Sequence, residues 1–149
     1  MMKTFARITL VASLALGAMA LLMPEKAALA EGQPKKDAPL PEVSVDDLAG
    51  ALKRKEAIPV DANSEGTRKK WGTIPGAKKL SSSSRYDVAK ELPKDRAATL
   101  VFYCANTDCN ASDSAAYRAK EAGHTNVKVL RAGIQGWVDA GQPVTKPSK

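Results

Sequence analysis

Residues 99–104 read Thr-Leu-Val-Phe-Tyr-Cys, an uncharged run followed by the polar stretch Ala-Asn-Thr-Asp-Cys-Asn and then by an Ala-rich segment. A short apolar run bounded by loop residues predicts a buried strand. The Ala-rich segment that follows predicts a helix. Cys104 then falls at the C-terminal end of a strand, facing the first turn of the next helix. N–H groups of loop and helix point inward at such a place, and the helix dipole favours negative charge there. The same field lowers a cysteine pKa, and the thiolate is the reactive form. The pattern therefore predicts a nucleophilic cysteine that handles an anionic group. The backbone N–H groups of Ala105, Asn106, Thr107, Asp108, Cys109 and Asn110 are the expected anion cradle.

Strand and helix signals alternate through the rest of the chain. Ser44 and Asp47 have the spacing of a helix cap with an acidic third residue, and Leu48, Ala51 and Leu52 recur at helical spacing, predicting a first helix over 44–54. Ile58 to Ala62 reads as a buried strand carrying Asp61 near its end, 64–71 as a charged helix, and 76–80 as a short strand after the turn residues Gly72 to Gly76. Helices are expected over 84–92, 112–122 and 133–140, with a strand at 127–130 between the last two; Gly123 and Gly141 follow helices where a C′ glycine is favoured. This alternation predicts an α/β domain with a mainly parallel central sheet and helices on both faces. Sites in such sheets form at the C-terminal ends of strands, which is where Cys104 falls.

The first thirty residues read as a targeting signal. Lys3 and Arg7 precede the apolar run from Ile8 to Met23, Pro24 breaks it, and Ala28-Leu29-Ala30 has the small-x-small cleavage pattern. The run is shorter than the ~20 residues of a membrane span. The expected organisation is a signal at 1–30, a polar, Pro-rich lead-in at 31–42, one domain at 43–144 and a frayed tail at 145–149. The expected location is periplasmic or secreted, with no membrane association after cleavage. The net charge is +7, but the basic residues are scattered in small clusters with few aromatics between them, so no nucleic-acid partner is expected. The single histidine, His124, follows a helix C-cap and reads as a surface residue. With one His and two cysteines five apart, no metal site is expected. Ser112 and Ser114 read as helix caps, and Ile134 and Trp137 as core.

Together these segments resemble a single-domain rhodanese, from Val43 to Val144. Ile-Pro-Val-Asp at 58–61, the charged helix after it and Thr-Ile-Pro-Gly-Ala at 73–77 are similar to the family's strand-Asp and GHIPGA elements. Thr99 to Cys104 resembles the strand ending in the active cysteine. Ser114 to Leu130 resembles the helix and strand that follow, and Arg131 to Trp137 the GGxxxW closing element. The resemblance implies sulfur transfer without a cofactor, by a monomer. Cys104 would take a sulfane sulfur from a small anionic, thiosulfate-like donor and pass it to a thiol, a cyanide-like acceptor or a protein acceptor. Asp61 would support the loop.

The chain departs from that pattern in three places. Asn63 stands where the family has Arg, Thr73 where it has His, and the active loop contains no Arg or Lys but does contain Asp108. Thiosulfate is therefore expected to be a poor donor, and a phosphatase is disfavoured because no loop Arg can grip phosphate oxygens. Cys109 has two readings: a resolving thiol that takes the sulfur or closes a disulfide, and a bystander. The alternatives to a sulfurtransferase are a thiol-disulfide or sulfur-relay protein using Cys104 and Cys109, and a non-catalytic binding module on the same fold.

Overall fold

The structure, a computed structural model, describes residues 38–146. The expected signal, most of the lead-in and the end of the tail lie outside them. Helix α1 (Val45–Lys53) is followed by β1 (Ile58–Asp61), α2 (Glu65–Trp71), β2 (Lys78–Lys79), α3 (Val88–Glu91), β3 (Leu100–Tyr103), α4 (Ala111–Glu121), β4 (Val127–Leu130) and α5 (Gly133–Asp139). The four strands form one parallel sheet in the order β2-β1-β3-β4.

β3 is central, and all four of its residues are buried. Alternate residues of a strand face opposite ways, and β3 divides the core accordingly. Leu100 and Phe102 pack with Val60, Val129 and the small face of α4, namely Ala115, Ala116 and Ala119. Val101 and Tyr103 pack on the other side with Leu48, Ile74, Ile134 and Trp137. Parallel sheets need both faces covered, and α1 and α5 on one side and α4 on the other provide this.

The helix starts follow the sequence closely. Ser44 accepts from Asp47 N and Ser64 from Thr67 N, the side-chain caps of α1 and α2. α3 is shorter than the 84–92 expected, because Asp87 caps it by accepting from Ala89 N and Ser81–Arg85 forms a turn in front of it.

Two expectations are corrected here. Residues 38–42 do not behave as lead-in. Leu40 is buried in the core, Val129 N donates to Pro41 O, and Val43 N donates to Val129 O, so this stretch lies along β4. His124 is not a surface residue. It is 1% exposed, its ring nitrogens have no hydrogen-bond partner among the described residues, and burial, then the nearby Arg96 charge, holds its pKa below the usual range. The polypeptide turns sharply at Gly123 (φ +94°), and His124 N returns to Ala119 O near the end of α4. At the other terminus, Thr145 pairs with Thr73 in an isolated antiparallel bridge.

Candidate active site

β1 leads to β2 on one side of the sheet and β3 leads to β4 on the other, so the strand order reverses between β1 and β3. Ligands of open α/β sheets bind outside the carboxyl ends of the strands at such a point. Asp61 and Tyr103 end these strands in register, and Cys104 follows Tyr103. A depression of about 580 Å³ opens here. From the β1 side it is lined by Asn63, Ser64 and Thr67, and from the β3 side by Ala105, Cys109 and Ala111; Ser81–Ser83 and Arg85 form a third wall.

Cys104 is 1% exposed. Its sulfur is bonded to that of Cys109 in a disulfide, with the two Cα atoms 6.2 Å apart. Ser112 Oγ lies 3.3 Å from Cys104 Sγ, and the Cys109 carbonyl oxygen lies 2.9 Å from it. In the reduced protein these neighbours act in opposite directions. The carbonyl would accept from a thiol, whereas the Ser112 hydroxyl and the N-terminus of α4 favour a thiolate.

Ser112 corrects the sequence expectation of a cap. The residue before α4 is Asn110, which makes no side-chain cap hydrogen bond, and Ser112 lies inside the first turn with its hydroxyl on the cysteine. Ser114 also lies within the helix, donating to Asn110 O. The first N–H groups of a helix have no intrahelical partner, so α4 presents an N-terminus without a side-chain cap next to the sulfur.

The loop that follows Cys104 is clamped from the far side of the chain. Ile134 N donates to Cys104 O at 2.8 Å and Gln135 N to Ala105 O at 3.0 Å. Asn106 Nδ2 approaches Gln135 Oε1 at 3.5 Å. A Cβ at Gly133 would fall 2.5–2.6 Å from the Ala105 carbonyl and Asn106 N, and Gly133 has φ +64°. Only glycine permits this approach. Arg131, at the end of β4, pairs with Asp113 in the first turn of α4 and with Glu42, which holds the helix start against the sheet. Of the six N–H groups expected as an anion cradle, those of Asp108 and Cys109 turn inward on the loop itself, to Asn106 Oδ1 and Asn106 O.

Asp61 is fully buried, but its bonds do not go to this loop. Oδ1 accepts from Asn63 N at 2.8 Å and Oδ2 from Arg68 Nε at 3.3 Å, while Arg68 also donates to Asp61 O and Leu80 O. Its place is architectural, tying α2 and the end of β2 to β1. Burial first, and the Asp61 charge second, raise the pKa of the neighbouring Tyr103 phenol, whose oxygen accepts from Ile74 N.

Two residues of the depression escaped sequence reasoning. Asn63 is 6% exposed and its Nδ2 has no partner among the described residues. Arg85 is exposed, and its side chain has no ion pair among them. The turn that presents Arg85 is fixed by Ser82 Oγ, which accepts from Arg85 N, and by Glu91, which accepts from Ser81 N and Ser81 Oγ at 2.7 Å each. Burial would raise the Glu91 pKa, but these donors outweigh it and hold the carboxylate below its usual range. A basic residue next to the serine run was the available signal.

A family model for the rhodanese-like domain matches residues 44–140. The chain belongs to the rhodanese-like domain family. Among solved structures it is similar to the BH2092 protein of Bacillus halodurans, at 23% identity and a TM-score of 0.63, over 71% of this chain and 77% of that one. It is similar to a human single-domain sulfurtransferase at 24% identity and a TM-score of 0.55, over 68% and 97% of the two chains. SseA of Escherichia coli, described as a 3-mercaptopyruvate sulfotransferase, gives 19% identity and a TM-score of 0.58 over 74% of this chain and 52% of its own. These likenesses establish the rhodanese fold. The comparison with curated proteins gives no match.

Proposed function

We propose that this rhodanese-like domain is a sulfurtransferase in which Cys104 carries the sulfur as a persulfide. The observation that carries the proposal is the surroundings of one atom. Cys104 Sγ lies at the end of β3, with Ser112 Oγ 3.3 Å away and an α4 N-terminus without a side-chain cap beside it. A thiolate formed there attacks the outer sulfur of a small anionic donor, the donor's remaining anion leaves, and the persulfide passes its sulfur to a nucleophilic acceptor. This is covalent catalysis in two half-reactions. Arg85 and the amide of Asn63 are the side chains that would meet the donor's anionic end, replacing the basic residues the loop lacks. The remaining loop N–H groups, at Ala105, Asn106, Thr107 and Asn110, would face the transferring sulfur.

The test is sulfite release from thiosulfate by protein kept reduced with excess dithiol, with cyanide present as acceptor. Wild type should turn over, and Cys104→Ser, which keeps the shape but is a far poorer nucleophile, should fall to background. Retained activity in that variant would remove Cys104 from the mechanism.

A second reading has its own support. The Cys104–Cys109 disulfide suits a thiol-disulfide protein, in which the bridged form is a working state. Export would suit it too, since disulfides persist in oxidising compartments. We propose export on the apolar run and the Ala28-Leu29-Ala30 pattern. N-terminal sequencing of the exported protein should begin at Glu31, and an intact Met1 would contradict it.

A further inference from the structure

We infer that Cys109 resolves the persulfide on Cys104 within the same chain, so that the reduced protein releases the sulfane sulfur as hydrosulfide and ends as the Cys104–Cys109 disulfide. This rests on the sulfur-transfer reading above and assigns its acceptor: the protein's own second thiol.

Geometry and access carry the inference together. The Cα atoms of the pair, 6.2 Å apart, lie within the range a disulfide spans, about 4.4–6.8 Å. Cys109 therefore reaches the Cys104 sulfur with the loop in its present fold, clamped by Ile134 N and Gln135 N. The two cysteines also differ in access. Cys104 is 1% exposed and is not on the wall of the depression; Cys109 is half-buried and is. A bulky acceptor entering the depression meets Cys109 first. A small donor needs to bring only its terminal sulfur to Cys104, once the open bridge lets the Cys109 side chain turn aside.

The steps balance with thiosulfate as the donor. Cys104 thiolate attacks the outer sulfur, the sulfur–sulfur bond of thiosulfate breaks, and sulfite leaves with the electron pair. Cys109 thiolate then attacks Cys104 Sγ. The bond from that atom to the transferred sulfur breaks, and hydrosulfide leaves with its electron pair. The two thiols are oxidised by two electrons and the sulfane sulfur is reduced by two; their two protons leave on sulfite and hydrosulfide. Turnover needs an external dithiol reductant, for which Cys109, half-buried on the wall of the depression, is the more accessible sulfur. Cys104 is then the leaving thiolate, next to Ser112 Oγ and the α4 N-terminus, and a better stabilised leaving thiolate departs faster.

The experiment treats pre-reduced protein, without oxygen, with thiosulfate and no other acceptor. Sulfite and sulfide are quantified, and the products are read by intact mass and peptide mapping. Wild type should release one sulfite and one sulfide per chain and become two hydrogens lighter. Cys109→Ser should release one sulfite and no sulfide, and hold one extra sulfur on Cys104. A wild-type chain that keeps the extra sulfur on either cysteine and releases no sulfide overturns the inference and leaves sulfur transfer standing. The same holds if Cys109→Ser releases sulfide as wild type does. Absence of sulfite from both proteins overturns the sulfur-transfer reading, and the inference with it.

Discussion

β1 and β3 end side by side, each with one chemically potent group at its C-terminal end, and the two ends differ in how completely that group is bonded. At the end of β1 both carboxylate oxygens of Asp61 are used, one by Asn63 N and the other by Arg68, and its carbonyl accepts from Arg68 and Leu80 N. At the end of β3 the main chain is held as firmly, by Ile134 N and Gln135 N, but the Cys104 sulfur faces a serine hydroxyl, a second cysteine and a helix start without a side-chain cap. Both groups are buried. A buried charge whose bonds are all met by protein is architecture. A buried sulfur on a fixed main chain, beside a hydroxyl and a helix start without a side-chain cap, is what the proposed chemistry needs.

The largest way to break that contrast is to remove Asp61. Asp61→Ala leaves Arg68, 11% exposed, with only the exposed Glu65 carboxylate at 3.8 Å as an ion-pair partner. Loss of one partner of a buried pair costs about 3–5 kcal/mol, with the low end expected here because Arg68 keeps some water. Chemical denaturation should show that loss, while sulfur transfer per folded molecule below the transition stays close to wild type. A selective loss of activity in well-folded protein would move Asp61 into the site.

Gly133→Ala should act on the other end. A side chain at φ +64° and 2.5 Å from the Ala105 backbone adds about 2 kcal/mol or more of strain, and would move the loop after Cys104, to which the chemistry is assigned. Activity per folded molecule should fall here, the reverse of Asp61→Ala. Arg85→Ala would remove the proposed charge-assisted contact to the donor, about 1.5–3 kcal/mol, or roughly one to two decades in affinity. The KM for thiosulfate should rise by that amount with little change in stability; an unchanged KM would exclude Arg85 from binding. The smallest effect is expected from Ser112→Ala. Loss of about 1 kcal/mol of thiolate stabilisation should slow alkylation of reduced Cys104 at neutral pH by about fivefold. An unchanged rate would show that the hydroxyl is only packing.

The fold was legible because its strands are short apolar runs with turn residues between them, and because the run ending at Cys104 leaves few alternatives to a central buried strand. The position of Cys104 at the end of that strand was legible for the same reason. The remainder of the site depended on offsets of one residue and on distances along the chain. With α4 beginning at Ala111, Ser112 is inside the first turn and not in front of it, and that shift turns its hydroxyl from a cap to a neighbour of the cysteine. Arg85, on the wall of the depression, comes from the segment between β2 and α3, far in sequence from the loop after Cys104, which has no cation. Asp61 carried a sequence signal for importance that did not distinguish a bond to the loop from a bond to Arg68. His124 looked polar and terminal, and the return of the chain after Gly123 buried it.

The central claim is that the Cys104 sulfur is the atom that attacks the donor. Its most direct test is a single turnover: reduced protein mixed with excess thiosulfate, with sulfite measured as it appears. A burst of one sulfite per chain is expected from wild type and from Cys109→Ser, and none from Cys104→Ser. The same burst from Cys104→Ser, or its loss in Cys109→Ser with Cys104 intact and the protein folded, would contradict the account.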